Sequence, residues 1–194
     1  MKRKLVFIFR HPIWDKKNDK PLKDTYKQTI DIIQFIKENI KNDNLDIVFT
    51  SPTKRCLFLA KAISLKFKAK IFKTSLLKER NEGVYKLLGE NAEKVLEYKS
   101  KKIHYCEYRP IFGESIISVI RRTKKFIIKY LKNLSNKNIV IITHYTNVLT
   151  FYSLFTKKDI KYVWDYEDFL ENGAIGFFVK DFNLIKSKIK LVYL

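Results

Sequence analysis

Five consecutive apolar residues, Leu5-Val6-Phe7-Ile8-Phe9, run directly into Arg10 and His11. An unbroken apolar run of that length reads as a strand buried on both faces, which occurs in parallel sheets covered by helices on each side. Such a strand ends in two cationic residues only where its end has a use for them. In open α/β sheets that place is the crevice beyond the carboxyl ends of the strands. The pattern recurs at Asn138-Ile139-Val140-Ile141-Ile142-Thr143-His144. Two of the chain's three histidines thus follow buried-type strands at equivalent positions.

The chain between and beyond these strands supports an α/β fold. Tyr26, Ile30, Ile33, Ile36 and Ile40 recur at three-to-four spacing and predict an amphipathic helix over about 23–41. Asp46–Thr50 reads as a second short buried strand. Helix alternating with strand implies right-handed crossovers and a parallel sheet. Ser51-Pro52 reads as a helix start, with serine as cap and proline in the first turn. Cys56, Leu59, Ala60, Ile63 and Phe67 form that helix's apolar stripe. Lys70–Thr74 reads as a third strand, followed by an irregular segment, 76–83, that carries Glu79 and Glu82. Residues 84–113, with one helix near 90–100, read as an excursion from the sheet able to cover the crevice. His104 lies in it and reads as a surface histidine. A long helix is expected from Glu114-Ser115 to about Leu134, with Ile117, Ile120, Ile127 and Leu131 inward. A further helix spans 146–155. Alternation around 174–179 and 189–193 predicts an antiparallel hairpin at the sheet edge. The expectation is a three-layer α/β/α architecture in one domain over 1–194.

The bulk properties exclude several classes. With 194 residues, 46% of them hydrophobic, the chain can bury a core without disulfides or metals. Cys56 and Cys106 have no metal-like spacing, which suits a reduced, cytosolic compartment. No run approaches the ~18 apolar residues of a membrane span. The formal charge of +20 arises mainly from lysine, dispersed along the chain and not gathered in a block. Specific nucleic-acid readers lean on arginine, so no specific nucleic-acid partner is expected.

The strand ends therefore deliver Arg10, His11, Arg55 beside a helix N-terminus, His144, and a carboxylate from 79–82. Two arginines, two histidines and free amides suit a dianionic phosphate, since the guanidinium fork bonds two phosphate oxygens at once. A histidine there either donates a hydrogen bond or attacks phosphorus and carries the phosphoryl group. A carboxylic acid opposite it protonates the leaving alkoxide. The guanidiniums supply the positive charge, so no cofactor or metal is expected.

At this point the chain resembles the histidine phosphatase superfamily, the phosphoglycerate-mutase-like proteins with an Arg-His-Gly signature. Phe9-Arg10-His11 is similar to the signature itself. Asp19-Lys20-Pro21-Leu22, Ser51-Pro52-Thr53-Lys54-Arg55 with Ala60, Leu77-Lys78-Glu79-Arg80 with Gly83, Gly113-Glu114-Ser115 with Arg121 or Arg122, and Ile141-Ile142-Thr143-His144 follow in the family's order. The resemblance implies a phosphatase acting on a phosphorylated small molecule, with His11 as nucleophile. It implies Arg10, Arg55 and His144 as phosphate ligands and Glu79 as proton donor, with Glu82 the competing acid. It puts Lys17, Asn18 and Tyr145 at the substrate rim. Pro12 and Tyr145 stand where the family usually has glycine, Trp14 where it has serine or threonine, and Lys17 where it has asparagine. Two related readings go with these departures: a member that binds a phosphorylated ligand without turning it over, and a mutase-type phosphotransferase.

Overall fold

The computed structural model describes residues 5–40, 44–84, 86, 104–132, 134, 137–166, 174–180 and 188–193. Strand β1 (Leu5–Arg10) lies in a six-stranded sheet with β4 (Ile47–Thr50), β5 (Lys70–Lys73), β6 (Ile139–Thr143), β7 (Ala174–Lys180) and β8 (Lys188–Tyr193), in the order β5-β4-β6-β1-β7-β8. The pairs β5·β4, β4·β6 and β6·β1 are parallel, while β7 and β8 close one edge antiparallel. Gly176 is required where β7 crosses β1, because a Cβ there would lie 2.0 Å from the Ile8 carbonyl oxygen. Between β1 and helix α1 (Lys23–Ile40), the chain forms a small ladder of β2 (Trp14–Asp15) and β3 (Lys20–Pro21).

Period-two alternation sorts the buried strands onto two cores. Leu5, Phe7 and Phe9 pack with Val48, Val140 and Ile142 against α1 and α2 (Lys54–Phe67). Val6 and Ile8 pack with Phe49, Ile139 and Ile141 against α3 (Ile116–Phe126), α4 (Tyr145–Thr156) and α5 (Ile160–Tyr166). Helices therefore cover both faces, which is why β1 tolerates no polar residue until Arg10. Phe7 stacks on Phe9 and Phe178, with Phe35 of α1 edge-on to all three.

Several expectations need correction. The buried line of α1 is Thr25, Thr29, Ile32, Ile36 and Ile40, while Tyr26 and Ile30 are 53% and 66% exposed. Two threonines are admissible inside because their hydroxyls donate to the Ile13 and Thr25 carbonyls. Ser51 does not cap α2; Thr53 is the cap residue and makes no side-chain cap bond, so the helix starts at Lys54. In α3 the cap is Ser115, which accepts from Ser118 N and starts the helix one residue past itself. That phase buries Ile116, Val119, Thr123 and Phe126 and leaves Ile117 and Ile120 half-buried. Ile127 and Leu131 are buried as expected, within a wider π-type turn that continues the helix. Helix α5 was unanticipated, although Asp159 accepts from Lys161 N in the manner of a capping aspartate. His104 is part-exposed, in keeping with a surface histidine, and is paired there: Nε2 meets Asp165 Oδ2 at 3.0 Å, and Nδ1 accepts from Cys106 N. The helix expected near 90–100 lies outside the described residues. Among the described residues, no helix is long and apolar enough to cross a membrane.

Candidate active site

Strand register places the two histidines side by side. Arg10 is paired with Thr143, and His11 N donates to Thr143 O at 3.0 Å. His11 and His144 thus each stand one residue beyond paired strand ends, with ring centroids 5.2 Å apart. On the other side of β6, Thr50 pairs with Ile142, so Ser51 and the start of α2 arrive at the same rim. A cavity of about 620 Å³ opens there, lined by Arg10, His11, Arg55, Glu79 and Tyr145 among others.

His11 is buried, and its Nδ1 lies 2.7 Å from Pro12 O. A carbonyl only accepts, so Nδ1 carries the proton and Nε2 keeps its lone pair. Pro12 lacks the amide that glycine would have offered, but this bond uses its carbonyl. Burial, reinforced by Arg55, Arg10 and Lys16, pulls the His11 pKa down to about 3, so the ring is neutral at physiological pH.

His144 is fully buried and caps α4 without a side-chain cap bond. Arg55 Nη2 lies 3.2 Å from its Nδ1, and a guanidinium only donates; Nε2 therefore carries the proton and donates to Ser51 Oγ at 2.9 Å. Burial, then the neighbouring His11 and Arg55, lower its pKa to about 2. Cys56 Sγ is 3.6 Å from Nε2, and burial pushes that thiol up to about 12, leaving it a neutral packing group. Ser51 was read as a helix cap; its position here is decided by the β4–β6 register.

Arg55 stands in the first turn of α2, and its Nε is buried without a hydrogen-bond partner. Arg10 lies with its guanidinium 5.5 Å from the centroid of the Tyr145 ring. Glu79 is half-buried, with Oε1 accepting from Arg80 N and Oε2 3.7 Å from His144 Nδ1. Burial raises its pKa, only partly countered by the Arg80 amide and Arg55, so the protonated acid persists above the usual carboxylate range. Glu82 lines the same cavity but is exposed.

The structure brings together Arg10, His11, Arg55, Glu79, His144 and Tyr145. It does not bring Lys17 or Asn18: both are exposed, and Asn18 is turned to Asp15, donating to its carboxylate at 2.8 Å. Lys16, one residue earlier, lines the cavity instead. The loop's hydrogen bonds decide this, because Asp15 Oδ1 accepts from both Lys17 N and Asn18 N and curls the chain back. Sequence reading also missed Arg80. It is 6% exposed, lines the cavity, lies over Tyr105 at 4.8 Å and has an unpartnered Nη2. An arginine directly after the acid was the available signal. Among the described residues, no three His, Cys, Asp or Glu side chains group as a metal site would.

Residues 15–177 match the model of the histidine phosphatase superfamily (branch 1), and the chain belongs to that superfamily. The match begins after Arg10 and His11, which reach the site through the β1–β6 ladder. A phosphoserine phosphatase 1 of Hydrogenobacter thermophilus is 24% identical over 138 residues, 69% of this chain and 64% of that protein. The chain thus matches just under two thirds of the length of this relative. Among solved structures, an alpha-ribazole phosphatase from Shigella flexneri superposes with a TM-score of 0.70 at 16% identity, covering 98% of this chain and 96% of that one. A mycobacterial glucosyl-3-phosphoglycerate phosphatase gives 0.65 at 12% identity, covering 99% and 98%. These likenesses establish a phosphoglycerate-mutase-like fold with a mostly parallel six-stranded sheet.

Proposed function

We propose that this protein hydrolyses phosphomonoesters through a phosphohistidine on His11. The observation that carries the reading is the 2.7 Å contact of His11 Nδ1 with Pro12 O, which leaves Nε2 as a neutral nucleophile beside two guanidiniums. Nε2 attacks phosphorus as the ester P–O bond breaks, and the Glu79 carboxylic acid gives its proton to the departing alkoxide. The Glu79 carboxylate then takes a proton from water, whose oxygen attacks the phosphohistidine. The P–N bond breaks, and neutral His11, inorganic phosphate and protonated Glu79 are restored. Arg10 and Arg55 stabilise the equatorial oxygens, with the unpartnered Arg55 Nε as a ready donor. His144 joins them by moving its proton to Nδ1 once the Arg55 guanidinium turns from that atom to the phosphate oxygens. Ser51 permits this because a hydroxyl can donate to Nε2 as readily as it accepts from it. No cofactor enters this scheme.

The substrate is a phosphorylated small molecule, with water as the acceptor, and phosphoserine, from the name of the curated relative, is the first ester to assay. The test is hydrolysis of an aryl phosphate and of phosphoserine by the wild type and by His11→Ala. His11-dependent turnover with an acid-labile phosphohistidine in a rapid quench supports the reading, and full activity in His11→Ala overturns it. The stack of Arg10 on Tyr145 favours a second reading, a receptor that holds phosphate without cleaving its ester. Vanadate binding with no turnover of any ester would select it.

A further inference from the structure

The acid-bearing segment 76–83 has no sheet or long helix to hold it, yet backbone groups on both sides of Glu79 are bonded, with Arg122 taking part on one side and Glu114 on the other. Before the acid, Leu76 O accepts from Arg122 Nη1 at 2.8 Å and Leu77 O accepts from Thr143 Oγ1 at 2.8 Å. With the Asn147 amide turned to the orientation that satisfies both neighbours, Lys78 O accepts from its nitrogen at 2.9 Å and its oxygen accepts from Arg122 Nη1 at 3.0 Å. After the acid, Glu114 binds the chain three times. Its carboxylate accepts from Asn81 N at 3.1 Å, its carbonyl accepts from Arg80 Nε at 2.9 Å, and its amide donates to Asn81 O at 2.7 Å. The two sides are joined by the fork of Arg122 Nε and Nη2 onto the Glu114 carboxylate at 3.2 and 3.3 Å. Arg122 is largely buried and Glu114 half-buried, so the pair is shielded from solvent more than a surface bridge is.

We infer that Glu114 and Arg122 form a clamp that positions Glu79 for proton transfer, making both of them positioning residues for the proposed hydrolysis. One ion pair, between α3 and the residue before its cap, reaches both flanks of the acid, upstream through Arg122 and downstream through Glu114. Neither residue itself lines the cavity; Glu114 reaches it only through Arg80 and Asn81. Losing the fork releases the backbone on both sides of Glu79 at once, and the carboxyl no longer meets the leaving oxygen at hydrogen-bond distance. The phosphate-binding wall on the strand ends is untouched.

The inference rests on the proposed hydrolysis, and its experiment separates the two. Measure kcat/KM, which reports the first phosphoryl transfer, for phosphoserine and for p-nitrophenyl phosphate in wild type, Glu114→Gln and Arg122→Lys. The alkoxide of serine needs a proton to leave, whereas nitrophenolate does not. The clamp predicts a loss of about 10- to 100-fold on phosphoserine and under about 3-fold on the aryl ester, with vanadate affinity unchanged. A merely structural role lowers both esters by the same factor, and equal losses or no loss overturn the inference. Should the wild type hydrolyse neither ester through His11, the proposed function fails and hydrogen exchange decides the clamp. Faster exchange confined to amides 79–83 and 114 in Glu114→Gln supports it, and wild-type protection there overturns it.

Discussion

The two walls of the cleft are built by different means. The wall proposed to hold phosphate, Arg10, His11, Arg55 and His144, comes from the ends of β1, β4 and β6 and the turns after them, locked by paired registers among largely buried strands. The acid wall is a loop, and its carboxyl is placed by side-chain hydrogen bonds to Glu114, Arg122 and Asn147. A strand end moves only if the core moves, so the first wall is as rigid as the fold. The second is held by a handful of bonds whose loss leaves the core intact. Binding of phosphate and protonation of the leaving group should therefore separate under mutation.

The largest effect is expected from the strand-built wall. His11→Ala removes the proposed nucleophile and should lower kcat/KM by about 10³-fold or more on aryl and alkyl phosphates alike. Equal behaviour of the two esters is the point to check, because only the loop-built wall distinguishes them.

Glu79→Gln comes next, with about 10²- to 10⁴-fold loss on alkyl phosphates and a much smaller loss on p-nitrophenyl phosphate. The sign of its pH dependence follows from burial. The carboxyl pKa is raised, the proposed proton donor is the protonated form, and kcat/KM for alkyl esters should fall as pH rises through that value. A pH profile of the Gln variant should lose this alkaline limb.

Stability against pH tests the strand-built wall by itself. His11 and His144 have native pKa values of about 3 and about 2, below the ~6.5 of the unfolded chain. Their contribution is complete above the unfolded value and is lost as pH falls toward the native ones. Phosphate-free protein should lose about 2–3 kcal/mol between pH ~7.5 and ~5.5, and His144→Asn should remove about half of that slope. Urea titrations at the two pH values measure it. Inorganic phosphate should flatten the slope, since an anion in the cleft favours the charged imidazoles.

The smallest effect is that of Ser51→Ala, which keeps the fold but removes the hydroxyl that lets His144 exchange tautomers. About a tenfold rise in KM with kcat less affected is expected on both esters. A selective loss on the alkyl ester would show that the two walls are coupled through His144.

How much of this could be read along the chain follows the same division. Runs of buried residues announce strands, and a charged residue at their end announces a crevice, so Arg10, His11, Arg55 and His144 were legible. Glu79 was legible only as one of two acids, and burial is what sets it apart from exposed Glu82. The first loop was misread because Asp15 turns Lys17 and Asn18 away from the cleft and leaves Lys16 against it. In α1 the apolar periodicity pointed to Tyr26 and Ile30, but the helix buries Thr25 and Thr29, whose hydroxyls find carbonyls close by. Ser51 looked like a cap because serine before proline resembles one; its actual partner, His144, is 93 residues away.

Local pattern, being set by side-chain period and by which residues avoid water, sufficed for the sheet, its helical cover and the cationic rim. The tautomers of two histidines, the raised carboxyl of Glu79 and the clamp around it were decided only on folding. Each depends on contacts between residues far apart in sequence, and on water being excluded from them, which no stretch of the chain specifies alone.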